Sequence, residues 1–146
     1  MCLPLMAADK KPLTKEESAK VIEAAIRKSI KKPEGELTKA DLEKVTWLNL
    51  YDNRLTDVKG LEKLTELTLL NLDDNKLTDV KGLEKLTQLK TLNLSGNKLT
   101  EVPKGLEKLT KLKFLVLNNN PDLTKAQIAE LQKALPKCVI YSDPKK

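Results

Sequence analysis

The sequence predicts an α/β solenoid, with short parallel strands stacked coil upon coil and a helix closing each end. Three observations predict it. The stretch Val45–Leu64, VTWLNLYDNRLTDVKGLEKL, returns as LTLLNLDDNKLTDVKGLEKL at Leu67–Leu86 and as LKTLNLSGNKLTEVPKGLEKL at Leu89–Leu109, and begins a fourth time as LKFLVLNNN at Leu112–Asn120. Starts at residues 45, 67, 89 and 112 give spacings of 22, 22 and 23, and a fixed period of that length marks a stacked-repeat architecture. Amphipathic helical patterns flank the repeats on both sides.

Within one unit, Val45, Leu48, Leu50, Leu55, Val58, Leu61 and Leu64 recur about every third residue, with the turn-forming pair Asp52-Asn53 in the middle. That is too sparse for one buried strand, and one coil of a solenoid accounts for it. Leu48-Asn49-Leu50 alternates as a short strand with leucines inward, and equivalent strands of successive coils pair into a parallel sheet. Burying each leucine is worth roughly 1.5–3 kcal/mol, but only once the neighbouring coil covers it. A single unit should not fold alone.

The skeleton LxxLxLxxNxLxxVxxLxxL, in register across three full copies, resembles the leucine-rich repeat in the 22-residue layout of bacterial internalin-type proteins. The resemblance implies a right-handed leucine-rich-repeat solenoid in a short arc, its parallel sheet on the concave face. It also implies a binding module without naming the ligand; the reading adopted is a non-enzymatic protein–protein interaction module with its partner on that concave sheet. Asn53, Asn75, Asn97 and Asn120 share one point of every coil, and the resemblance implies that their amides stack inside it and bond the backbone of the bend. An inward turn otherwise leaves peptide groups unpaired, which supports a structural role.

In chain order, residues 1–13 form an apolar leader and linker. Its first eight residues, MCLPLMAA, look like the tail of a secretory signal peptide whose basic start and longer apolar core are missing, which favours export to the periplasm or cell surface over a cytoplasmic location. The competing reading is a frayed apolar terminus. Residues 14–44 form a helical N-terminal cap. Thr14 and Glu17 make a capping box for a helix running to about Lys32, with Ile22, Ile26 and Ile30 on one face beside Val21 and Ala25, and with Pro33 and Gly35 as its stop. Thr38 with Asp41, stapled by Leu37 and Leu42, repeats the device in miniature.

The repeats occupy 45–122, as units 45–66, 67–88, 89–111 and a partial 112–122. The third carries one inserted residue, Pro103, which fixes a turn on the side away from the strands. Residues 123–142 form a C-terminal cap. Thr124 caps with Gln127, Leu123 staples to Ile128, and Ile128, Leu131 and Leu135 share a face until Pro136. Leu135, Cys138 and Ile140 then restore the repeat spacing and predict a last strand, followed by a lysine-rich tail at 143–146. Cys138 sits in an inward slot as a small buried apolar residue. A disulfide to Cys2 would require the two ends of an elongated stack to meet, and is not expected.

The net charge of +6 invites a nucleic-acid reading, but of 27 basic residues only Arg27 and Arg54 are arginine, and many lysines sit one step from a glutamate. No nucleic-acid partner is expected. No run approaches the ~18 apolar residues of a membrane span. With no histidine, no CxxC, no phosphate loop and no nucleophile elbow, neither catalysis, a metal nor a cofactor is expected. Asp73-Asp74, with Asp52 one coil away, lack the alternating ligand loop of a calcium site.

The candidate site lies on the outward strand positions: Trp47, Asn49, Tyr51 and Asp52, then Leu69, Asn71, Asp73 and Asp74, then Thr91 and Asn93, then Phe114, Val116 and Asn118. Ser95, Gly96 and Asn119 share these columns, and the last strand adds Lys137, Val139, Tyr141 and Ser142, of which Tyr141 joins the candidate set. All four aromatics of the chain fall here. KGLEKLT, by contrast, is identical at Lys59–Thr65, Lys81–Thr87 and Lys104–Thr110, although its Lys and Glu residues are expected to be exposed. Convex positions thus stayed constant while concave ones diverged toward aromatics, acids and amides, the composition of interface hot spots.

Trp47, Leu69, Tyr51 and Phe114 would anchor a partner, and Asp52, Asp73 and Asp74 would favour a basic one. Against this, Trp47 and Phe114 lie in the coils nearest the caps and can pack on a cap helix or the leader instead. Two further functional classes stay open: an intracellular regulatory adaptor like the family's phosphatase-binding members, and a structural, self-associating protein. A monomer is the expected state.

Overall fold

A computed structural model of the chain describes residues 11–146. The leader up to residue 10, with Cys2 and the export signal read from it, lies outside the described residues.

Helix α1, Lys15–Ile30, begins at the capping box, where Thr14 Oγ1 accepts from the Glu17 N–H at 3.1 Å and Glu17 Oε2 accepts from the Thr14 N–H at 2.8 Å. It ends earlier than the sequence suggests. Lys31 adopts a left-handed conformation (φ 58°), and its N–H turns back to the carbonyls of Arg27 and Lys28, so the stop precedes Pro33. Ile22 and Ile26 are buried in the common core. The chain before α1 is tied to the first coil: the Leu13 N–H donates to the Arg54 carbonyl, and the Thr56 hydroxyl donates to the Leu13 carbonyl at 2.7 Å. The second capping box gives a single turn, α2 (Lys39–Leu42), with Asp41 held by Lys32 Nζ at 2.6 Å. That ammonium, with the Thr38 N–H and hydroxyl, keeps the Asp41 carboxyl well below the usual carboxylate range.

Five strands follow, β1 (Trp47–Asn49), β2 (Leu69–Asn71), β3 (Thr91–Asn93), β4 (Phe114–Val116) and β5 (Val139–Tyr141), in one parallel sheet of sequential order. Each opposite wall is one 3₁₀ turn, at Leu61–Lys63, Leu83–Lys85 and Leu106–Lys108. Leu48, Leu70, Leu92 and Leu115 stand in register and point into a continuous core. The extra residue, Pro103, is buried in the loop between β3 and β4, and Thr91 still pairs with Phe114. Helix α3, Lys125–Ala134, opens with its own capping box and buries Leu131, and Leu135 and Cys138 lead into β5.

The three KGLEKLT copies require a correction. Glu62 and Glu84 are half-buried, and each carboxylate accepts the N–H of the glycine two residues upstream, Gly60 at 2.7 Å and Gly82 at 2.8 Å. Those glycines sit at φ 106° and 107°, a conformation other residues rarely adopt. In the first two copies the constancy of glutamate and glycine therefore has a structural cause and does not measure drift at a free surface; Glu107 of the third copy is exposed.

Candidate binding face

The sheet places the outward residues in straight rows. Trp47, Leu69, Thr91, Phe114 and Val139 are mutual register partners, and so are Asn49, Asn71, Asn93, Val116 and Tyr141. With strands roughly 4.8 Å apart, the first row brings Trp47 within two strands of Thr91 and Phe114 within one strand of Val139. Trp47 is 61% exposed, Tyr51 51%, Phe114 44% and Tyr141 49%. No described cap helix buries Trp47 or Phe114. Val139, left out of the candidate set, is 47% exposed beside Phe114 and extends the apolar row; its place one residue before the inward Ile140 was the signal for it.

The polar columns have structural duties that the sequence did not reveal. Asn49, Asn71 and Asn93 each accept, through Oδ1, the N–H two residues on, at Tyr51, Asp73 and Ser95, at distances of 2.9–3.1 Å. Asn71 also donates to Asn49 across the coil. These side chains close the turn that leaves each strand. Val116 stands where a fourth asparagine would, so the column turns apolar only at β4. Asp52, Asp74, Gly96 and Asn119 all adopt left-handed backbone, with φ between 51° and 65°. Asp, Asn and Gly are the residues that tolerate it, so the acids in this column are explained by the turn before any partner is invoked. Gly96 also leaves room for Asp74, whose carboxylate occupies the space a side chain there would fill.

Beneath the bend runs the asparagine ladder. Asn75 Nδ2 donates to the carbonyls of Leu50 and Leu72, and its Oδ1 accepts from the N–H groups of Asn53 and Leu55. Asn97 and Asn120 repeat the two donations one and two coils on, with their Oδ1 atoms accepting from the Leu77 and Leu99 N–H groups. Asn53 differs: with no repeat before it, it is half-exposed and donates to the Tyr51 carbonyl of its own turn.

Electrostatically the bend end of the sheet is acidic. Asp73 is half-buried, and burial first, then the neighbouring Asp74 carboxylate, push its carboxyl above the usual range. Burial also pushes the Cys138 thiol up, so it stays protonated and inert. Among the described residues, no group of His, Cys, Asp and Glu is placed to hold a metal ion, and no helix is long and apolar enough to cross a membrane.

Comparison with known proteins gives a consistent picture. A family model described as leucine rich repeats matches twice, over residues 43–85 and 87–133. Among solved structures, the chain is similar to an internalin C2 from Listeria monocytogenes, with 26% identity and a TM-score of 0.76 over 86% of this chain and 56% of that one. It is also similar to the internalin InlF from the same species, with 28% identity and a TM-score of 0.70 over 83% of this chain and 35% of that one. A leucine-rich-repeat protein from Leptospira interrogans matches at 31% identity with a TM-score of 0.61, over 72% of this chain and 28% of that one. The chain thus spans little more than half the length of the first and about a third or less of the others. No curated protein matches.

Proposed function

Because the chain belongs to the leucine-rich repeat family, with the internalin-type layout, we propose that it is a non-enzymatic module that binds a protein partner on its concave sheet. Members of this family typically mediate protein–protein interaction. One observation carries the placement on this face. Among the described residues, every exposed large hydrophobic side chain, Trp47, Tyr51, Leu69, Phe114, Val139 and Tyr141, stands on the outward side of the strands or at their ends. The convex wall exposes lysines instead. Exposed apolar groups gathered on one face are covered at lower free energy by a partner than by water, and aromatics with a polar rim are the composition of binding hot spots.

Asp52, Asp73 and Asp74 border the apolar row at the bend and favour a basic segment of that partner. At Asp73, where burial and the neighbouring Asp74 push the carboxyl up, a cation brought alongside would favour the ionised form. The adaptor reading uses the same face and differs only in compartment.

The test is a pull-down with the full chain beside a Trp47→Ala, Tyr51→Ala, Phe114→Ala triple variant, each shown folded by circular dichroism. A partner held by the first and lost by the folded second supports the proposal. Equal retention by both overturns it.

A further inference from the structure

The sheet ends unequally. At its first edge α1 packs beside β1, whereas among the described residues nothing pairs with the far side of β5. The Val139 N–H donates to the Lys113 carbonyl at 2.8 Å, and the Tyr141 carbonyl accepts from the Leu117 N–H at 2.7 Å. In a parallel ladder a residue's N–H and C=O face the same neighbour, and successive residues alternate sides. Ile140 therefore turns both groups away from β4, along the open edge. Such an edge is a template for another strand. Apolar groups surround it: Val139 and Tyr141 are exposed, and Ile140, though inward-facing, is only half-buried, since among the described residues no coil lies beyond it.

The sequence around Ile140 selects the strand that fits. An antiparallel mate centred on Ile140 sets each residue opposite the one equally far on the other side. Val139 then faces Tyr141, and Lys137 comes to the end of the strand where Asp143 of the mate lies; two-fold symmetry makes each pairing twice. Asp143 is fixed at that end, since its Oδ1 accepts the Asn119 N–H at 2.8 Å. Pro136 and Pro144, which have no N–H, bound the segment at equal distances from its centre. A parallel mate in register would instead set Lys137 beside Lys137 and Asp143 beside Asp143.

We propose that the open edge of β5 takes β5 of a second copy of this chain, antiparallel and centred on Ile140. The two Ile140 residues exchange two N–H···O bonds, Val139 packs on Tyr141, and Lys137 neutralises Asp143. Because the two-fold axis of such a pair runs perpendicular to the sheet, the two five-stranded sheets become one, with both concave faces on the same side. The contact is one strand wide and accordingly weak. The hydrogen-bonding edge of β5 is distinct from the outward face on which the partner is proposed to bind, although the side chains of Val139 and Tyr141 belong to both.

Sedimentation equilibrium of the full chain, from low micromolar to near millimolar, should show the mean mass rising toward twice that of one chain. Lys137→Glu should move the midpoint upward by about tenfold or more, and the charge swap Lys137→Glu with Asp143→Lys should restore it. The Trp47→Ala, Tyr51→Ala, Phe114→Ala variant should associate like the wild type. Exchange of the Ile140 amide should slow as concentration rises, while that of Leu92 stays constant; this reading needs no variant and decides the matter if Lys137→Glu fails to fold. A chain that stays monomeric throughout, a midpoint indifferent to Lys137→Glu, a swap no tighter than the single change, loss of association in the aromatic variant, or an Ile140 amide indifferent to concentration would each overturn the proposal.

Discussion

The Asn75 amide donates to the carbonyl of Leu50, one coil away, at 2.9 Å, while its oxygen accepts the Leu55 N–H of that same coil. One side chain thus closes the bend of its neighbour. Asn75→Ala strands buried groups at Leu50, Leu55 and Leu72, and is expected to cost at least about 2 kcal/mol, on the scale of one or two unsatisfied buried groups. Asn53→Ala, on the half-exposed first rung, should cost less than about 1 kcal/mol. Urea unfolding of both measures the difference, and equal costs would contradict the ladder.

Leu92 is fully buried in the middle coil, with coils on both sides. Leu92→Ala should cost about 2–5 kcal/mol, while Lys85→Ala on the exposed convex turn should lie within about 0.5 kcal/mol of wild type. Comparable losses in thermal unfolding would contradict the coil arrangement.

The convex glutamates are not equivalent. Glu84 accepts the Gly82 N–H and is half-buried, whereas Glu107 is exposed. Glu84→Ala is expected to destabilise by about 1 kcal/mol, and Glu107→Ala by a few tenths at most. Unfolding midpoints compared at equal m-value decide between them.

Two aspartates should answer pH with opposite sign. The Asp41 carboxyl is lowered by Lys32 and Thr38, so its ionised form stabilises the fold; that stability is present above the unfolded-state pKa and is lost as pH falls toward the lowered folded value. Asp41→Asn should therefore weaken the protein near neutrality, and the difference should fade in acid. The Asp73 carboxyl is raised by burial and by Asp74, so its ionisation opposes folding above the unfolded-state value. Asp73→Asn should stabilise near neutrality and lose that advantage in acid. Stability curves of both variants from neutral to acid pH check the signs.

Much of this fold was legible because the core writes itself into the spacing. Leu48, Leu70 and Leu92 recur at one interval, and burial admits few other residue types there, so period and pattern lead to the same strand register. The capping boxes at Thr14, Thr38 and Thr124 were legible for a similar reason: they are local, and two residues three apart suffice. The left-handed column of Asp52, Asp74, Gly96 and Asn119 was not, because a backbone angle leaves only a weak trace in composition. The carboxylate of Glu84 was misjudged as solvated because lysine neighbours suggest a surface, while its bond to Gly82 depends on a turn that the letters do not show. The concave face was legible in its apolar row and opaque in its polar columns, where a side chain that closes a turn and one that meets a partner are written with the same Asn and Asp.

The buried Pro103 shows how the architecture takes up change. One added residue is absorbed in the outer loop while Thr91 and Phe114 keep their pairing, so strand spacing is insulated from the length of the rest of the unit. Copying errors that lengthen a unit can therefore survive selection, and so can those that duplicate a whole one. A duplicated unit placed between β2 and β3 would meet on both sides the leucine and asparagine positions it already complements, lengthening the molecule by one strand spacing. Such a chain inherits a surface that can grow by increments, with each new unit free to acquire its own outward residues after the fold has accepted it.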